Sequence, residues 1–136
     1  MIEEETPGTL DFLILRDAIE KSDADAMLGF YADDAELRIV NADSPEGPAF
    51  ELRGKAALAK YLRAVCDQAL TCHVNGEAVK EELISFMETC EYEDGTRVLV
   101  RTTLELQGST ILRQLDVVER HPRRDDGGAN TGGSGA

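Results

Sequence analysis

The apolar positions of the chain follow two different periods. Between Leu10 and Ile19, Phe12, Leu15 and Ile19 recur at helical spacing. Leu13, Ile14 and Ala18 widen that stripe, and Thr9 is placed to cap its start. A second helix is predicted after Ser22, with Asp23 as N-cap and Asp25 at the positive end of the dipole. Met27, Phe30 and Tyr31 form its apolar side and Asp33-Asp34 its end. A third helix is predicted from Lys55 to Ala69, carried by Leu58, Tyr61, Leu62 and Val65. Between the second and third helices, Glu36 to Val40 alternates. A loop with Pro45, Gly47 and Pro48 then returns the chain through Ala49 to Arg53 as a short hairpin.

Beyond the third helix the period becomes two. Strands are predicted at about Cys72–Glu82, Ile84–Tyr92, Thr96–Leu106 and Thr110–Arg120, with Asp94-Gly95 and Gln107-Gly108-Ser109 as turns. Three helices interleaved with a hairpin and followed by a four-strand meander predict an α+β fold, the helices packed on one face of a curved antiparallel sheet. From His121 the chain becomes small, polar and Gly-rich, so residues 121–136 are expected to be a flexible tail.

The last two strands carry the candidate chemistry. Val98, Val100, Thr102, Leu104 and Leu106 share a nearly apolar face that should meet the helices. In the next strand, Leu112, Gln114, Asp116 and Val118 alternate with Ile111, Arg113, Leu115, Val117 and Glu119, and neither set is cleanly apolar. Two readings of Asp116 stay open. Its face is solvated or the carboxylate is partnered by backbone or Arg; or it lines a cavity with Gln114 and has a raised pKa. His73, at the start of the third strand, is a candidate for a cavity rim or a dimer contact. Tyr31 is placed under the sheet, as core packing or as a pocket hydroxyl.

Composition narrows the function. Fourteen basic against 27 acidic residues leave a net charge of −13 in 136 residues, which excludes the basic footprint of a nucleic-acid partner and disfavours an anionic membrane. No apolar run is long enough for a membrane span, and Met1-Ile2-Glu3-Glu4-Glu5 lacks the pattern of a signal peptide. Cys66, Cys72 and Cys90 form no C-x-x-C pair and are expected to be reduced thiols of a cytoplasmic protein. The nucleotide-binding, nucleophile-elbow and zinc-protease motifs are absent, and no acidic run has calcium-loop spacing. No metal or other cofactor is therefore expected.

The stretch IEKSDADAMLGFYADDAEL (Ile19–Leu37) resembles the opening of nuclear transport factor 2-like proteins, and LRGKAAL (Leu52–Leu58) resembles their hairpin return into the third helix. Residues Glu91–Arg120 resemble the closing strands of the SnoaL-like branch. The resemblance implies a cone: a strongly bent antiparallel sheet wrapped around three N-terminal helices over residues 8–120, with an internal apolar pocket and residues 1–7 as an extension. It also implies pairing of two copies through the outer sheet face, here Arg97, Leu99, Arg101, Thr103, Glu105, Arg113, Leu115 and Val117. Ketosteroid isomerases of this fold carry a general-base Asp, an oxyanion-hole Tyr and a protonated Asp. Those positions fall on Ile39, Leu15 and near Thr102 here, so that mechanism is not implied. The epoxide-hydrolase Arg-x-Asp pattern keeps only Arg101. The acid/base Asp of SnoaL-type cyclases matches Asp116 by position.

Two functions follow as expectations. One is a cofactor-independent cyclase or isomerase acting on a small apolar, carbonyl-bearing molecule. Asp116 would be its acid/base, with Gln114 or His73 donating to the enolate oxygen and Thr102, Tyr31, Val118, Ile39 and Leu15 around the ligand. The alternative is a non-catalytic pocketed binding or dimeric assembly module.

Overall fold

The structure, a computed structural model, describes residues 10–68 and 70–121. The expected extension (residues 1–7) and the tail beyond His121 lie outside the described residues. The elements run α1 (Phe12–Glu20), α2 (Ala24–Leu28), β1 (Tyr31–Asn41), β2 (Phe50–Arg53), α3 (Lys55–Cys66), β3 (Leu70–Lys80), β4 (Leu83–Tyr92), β5 (Arg97–Gln107) and β6 (Thr110–His121). One six-stranded sheet has the order β2-β1-β6-β5-β4-β3 and stays open at both edges. The three helices fill its concave side, so Leu15, Ile19, Leu58 and Leu62 meet Leu37, Val74, Ile84, Phe86 and Leu104 in one core. This is the α+β cone expected from the sequence.

Several local expectations give way to packing. Thr9 lies outside the described residues; Asp11 caps α1, its Oδ1 accepting from the Leu13 and Ile14 amides at 3.1 and 3.4 Å. Leu13 and Ile14 do not widen the buried stripe but are 68% and 57% exposed, whereas Ala18 is buried. Helix α2 stops at Leu28, capped by Gly29, and Tyr31 opens β1 instead of ending the helix. Sheet pairing decides this: the Phe30 carbonyl accepts from the Ile111 amide at 2.7 Å, and Tyr31 stands in register with Ile111. The YADDA segment is therefore strand, and Asp33-Asp34 sit in its irregular, exposed stretch. Helix α3 ends at Cys66, earlier than predicted. It starts after Gly54, whose φ of 95° suits glycine and whose amide donates to the Ala35 carbonyl at 2.8 Å.

The sheet differs from the expectation in one pairing. β3-β4-β5-β6 is the antiparallel meander, but β1 joins β6 in parallel. β6 is also bulged: Leu106 pairs with Ile111 and Glu105 with Arg113, which leaves Leu112 without a partner residue. The extra residue brings Ile111 onto the buried face together with Gln114 and Asp116, whereas strict alternation had set Ile111 against them.

The cysteines correct a further expectation. Cys72 and Cys90 face each other across β3 and β4, Cα atoms 4.1 Å apart, and are joined as a disulfide; Cys66 alone is a thiol. Their separation of 18 residues hid a contact that only strand register creates.

Candidate functional site

A cavity of about 480 Å³ lies between the helices and the concave sheet face. Leu15 and Ile19 come from α1, Met27 from α2, and Tyr61, Leu62 and Val65 from α3. The sheet contributes Ile39, Phe86, Val100 and Val118, so the wall is mainly apolar. Among these surfaces sit Tyr31, Gln114, Asp116 and Glu88.

Asp116 stands in register between Ile39 of β1 and Thr102 of β5. It is 8% exposed, and Thr102 is fully buried. Thr102 Oγ1 donates to Asp116 Oδ1 at 3.0 Å, and Gln114 Nε2 donates to the same oxygen at 2.9 Å. Gln114 Oε1 in turn accepts from the Tyr31 hydroxyl. Among the described residues Asp116 makes no ion pair, and its Oδ2 takes no hydrogen bond. The carboxylate is thus oriented through one oxygen by neutral donors, and its other oxygen faces the cavity side without a hydrogen bond among the described residues.

Burial pushes the Asp116 carboxyl up to about 6, with the Gln114 and Thr102 hydrogen bonds pulling it partly back down. Glu88, on the inward face of β4, is pushed up to about 8 by burial and by the nearby charge of Asp116. Between those values Asp116 is ionised while Glu88 keeps its proton, a difference set by environment. Burial raises the Tyr31 hydroxyl strongly and the Tyr61 hydroxyl to about 12, so both stay neutral donors.

Of the residues singled out from sequence, Leu15, Tyr31, Ile39, Gln114, Asp116 and Val118 line this cavity, and Thr102 supports Asp116 from beside it. His73 does not. It is exposed, between buried Cys72 and Val74, because neighbouring strand residues point to opposite faces. Glu88 escaped the sequence reading. Its signal was a single acid in the inward set Ile84, Phe86, Glu88, Cys90, the same kind of interruption that marked Asp116.

The sequence matches the SnoaL-like domain over residues 14–131. No curated protein matches it. Among solved structures, the chain is similar to an NTF2-like protein of unknown function from Mesorhizobium loti (15% identity, TM-score 0.68, covering 79% of this chain and 86% of that one). It is also similar to a SnoaL-like protein of unknown function from Burkholderia thailandensis (20% identity, TM-score 0.57, 79% and 90% covered). A third is the epoxide hydrolase/cyclase-like enzyme SalBIII, described in pyran ring formation in the polyether salinomycin (14% identity, TM-score 0.61, 79% and 86% covered). At these identities the likeness establishes the shared fold.

The raised carboxyls make stability depend on pH in a definite direction. In the folded chain Asp116 and Glu88 hold protons at pH values where the unfolded chain has lost them, so stability falls as pH rises. For Asp116 the fall begins near its ordinary value of 3.8 and is complete above about 6. It amounts to on the order of 3 kcal/mol, at 1.36 kcal/mol per unit. For Glu88 it runs from 4.5 to about 8. Asp116→Asn and Glu88→Gln should therefore gain stability over the parent chain increasingly as pH is raised, read as the difference in thermal midpoint. A difference that does not change between about pH 4 and pH 8 contradicts the assignment.

Proposed function

The chain belongs to the SnoaL-like domain family, and from that premise we propose that it binds a small apolar, carbonyl-bearing molecule and moves a proton on it, as a cyclase or isomerase, with Asp116 as the acid/base. The observation that carries this reading is the Asp116 carboxylate, held at one oxygen by Thr102 and Gln114 and presented to an apolar cavity by the other. Ionised above about pH 6, it accepts a proton alpha to the ligand carbonyl. The enolate oxygen that forms needs a donor. His73 is excluded by its outward position, whereas Gln114 uses one amide hydrogen on Asp116 and keeps a second. Tyr31 fixes the orientation of that amide by donating to its oxygen. Proton return from Asp116 to another carbon of the same ligand completes an isomerisation without any co-reactant.

A binding module without chemistry is the competing reading, and it is favoured by the loss of one expected enolate donor: with His73 outside, Gln114 is the one side chain of that pair left at the cavity. The ionised Asp116 would then serve only to orient a ligand donor.

The outer sheet face supports a second part of the proposal, a homodimer. Leu115 is 38% exposed there, beside half-buried Leu99 and Val117. Arg113 is already paired with Glu105 at 2.9 Å. Arg97 and Arg101 make no ion pair among the described residues, so they are available to acids of a second copy despite the net charge of −13.

Hydrogen exchange alpha to the carbonyl of apolar cyclic ketones, followed by NMR in deuterated water, tests the proton transfer. Asp116→Asn should lower catalysed exchange by roughly 10²- to 10⁴-fold while the chain stays folded; ketones that bind with no catalysed exchange would leave the binding module. For the dimer, sedimentation at high micromolar concentration should give twice the chain mass, and Arg101→Glu should shift it toward the monomer. A monomeric parent chain at that concentration refutes the pairing.

A further inference from the structure

One wall of the cavity has a donor set that proton transfer at Asp116 does not use. Cys72 and Cys90 are direct cross-strand partners, both buried and both lining the cavity. Glu88, two residues before Cys90 on the same face, brings Oε1 to 4.0 Å from Cys90 Sγ. One donor atom from each of the three lies within 4.8 Å of the others. Glu88 makes no ion pair among the described residues, and a buried carboxyl gives up its proton at far lower cost once a cation stands beside it.

We propose that, in the reduced chain, Cys72, Cys90 and Glu88 form a three-ligand site for a thiophilic divalent cation, zinc above all, with its fourth position open to the cavity. Two sulfurs and one carboxylate oxygen select zinc over magnesium or calcium, which take oxygen ligands. Three protein ligands and an open position is the arrangement in which zinc binds an exchangeable water or ligand. Tetrahedral ligands with zinc–sulfur bonds of about 2.3 Å stand roughly 3.8 Å apart, so the two sulfurs, bonded to each other here, have to separate, while Glu88 already lies within reach. Adjacent strands fix both cysteine backbones, so side-chain rotation alone has to part the sulfurs.

In the structure those sulfurs are bonded to each other. Opening the bond takes two electrons and two protons, supplied by two molecules of a thiol reductant that leave joined as their own disulfide. The cation then displaces one proton from each cysteine thiol, and one from Glu88 where it is protonated, all passing to solvent. Two thiolates and a carboxylate carry three negative charges, of which the cation offsets two. The disulfide and the cation site are mutually exclusive states of one cluster.

The test uses the full chain, reduced with a phosphine, freed of reductant without air, and titrated with Zn²⁺ by calorimetry and with Co²⁺ by absorption. One equivalent should bind, and the cobalt complex should show thiolate charge-transfer absorption in the near ultraviolet. The unreduced chain should bind neither ion at that site. Cys72→Ser, Cys90→Ser and Glu88→Gln should each weaken Zn²⁺ by at least the 10- to 100-fold typical of losing even an outer partner of a metal ligand. Cys66→Ser should leave binding unchanged. The cobalt spectrum of the parent chain decides the matter even where a variant fails to fold. Absence of stoichiometric binding by the reduced parent chain, equal binding by the oxidised chain, or loss of binding in Cys66→Ser overturns the proposal.

Discussion

Thr102 and Gln114 both donate to one oxygen of Asp116, and the rest of the site depends on that arrangement. A carboxylate on a wall of aliphatic side chains is tolerated only if it is hydrogen-bonded or neutral. Here it is hydrogen-bonded, but by neutral groups, so burial still outweighs the bonds and its pKa rises. An arginine in place of Thr102 would have made Asp116 a fixed anion with no useful basicity. The same low-polarity wall raises Glu88 further, because the charge of Asp116 adds to the effect of burial.

The fold supplies this arrangement through two features of β6. Parallel pairing with β1 puts Ile39 on one side of Asp116, while antiparallel pairing with β5 puts Thr102 on the other. The bulge at Leu112 sets Ile111 on the same buried face as Gln114 and Asp116, so the polar pair is seated beside a fully packed residue. Tyr31 reaches Gln114 because β1 begins at that residue, and a longer α2 would have carried its hydroxyl elsewhere. Strand pairing, helix length and the polar chain Tyr31–Gln114–Asp116 are one linked set of constraints.

Much of this was legible in the residues. The switch from helical to alternating period marked the three helices and the meander, and the alternation of β6 put Gln114 and Asp116 among aliphatics. What was not legible depended on contacts between distant segments. The helix-like stripe of Met27, Phe30 and Tyr31 continues past Gly29, and only pairing with Ile111 turns its end into strand. Cys72 and Cys90 are unremarkable in sequence because their meeting depends on the β3–β4 register. His73 drew notice as a rare residue type, yet its neighbours Cys72 and Val74 already implied an outward side chain. Glu88 needed the same test of alternation that found Asp116, applied to β4.

The most direct test of an acid/base cavity is carboxyl-carbon NMR of the chain labelled at Asp and Glu, titrated from about pH 3 to pH 9, with Asp116→Asn and Glu88→Gln used to assign the two resonances. The account predicts an Asp116 midpoint near 6 and a Glu88 midpoint near 8, the latter moving down when Asp116 is replaced. Midpoints for both groups in the ordinary range of about 4 would contradict it.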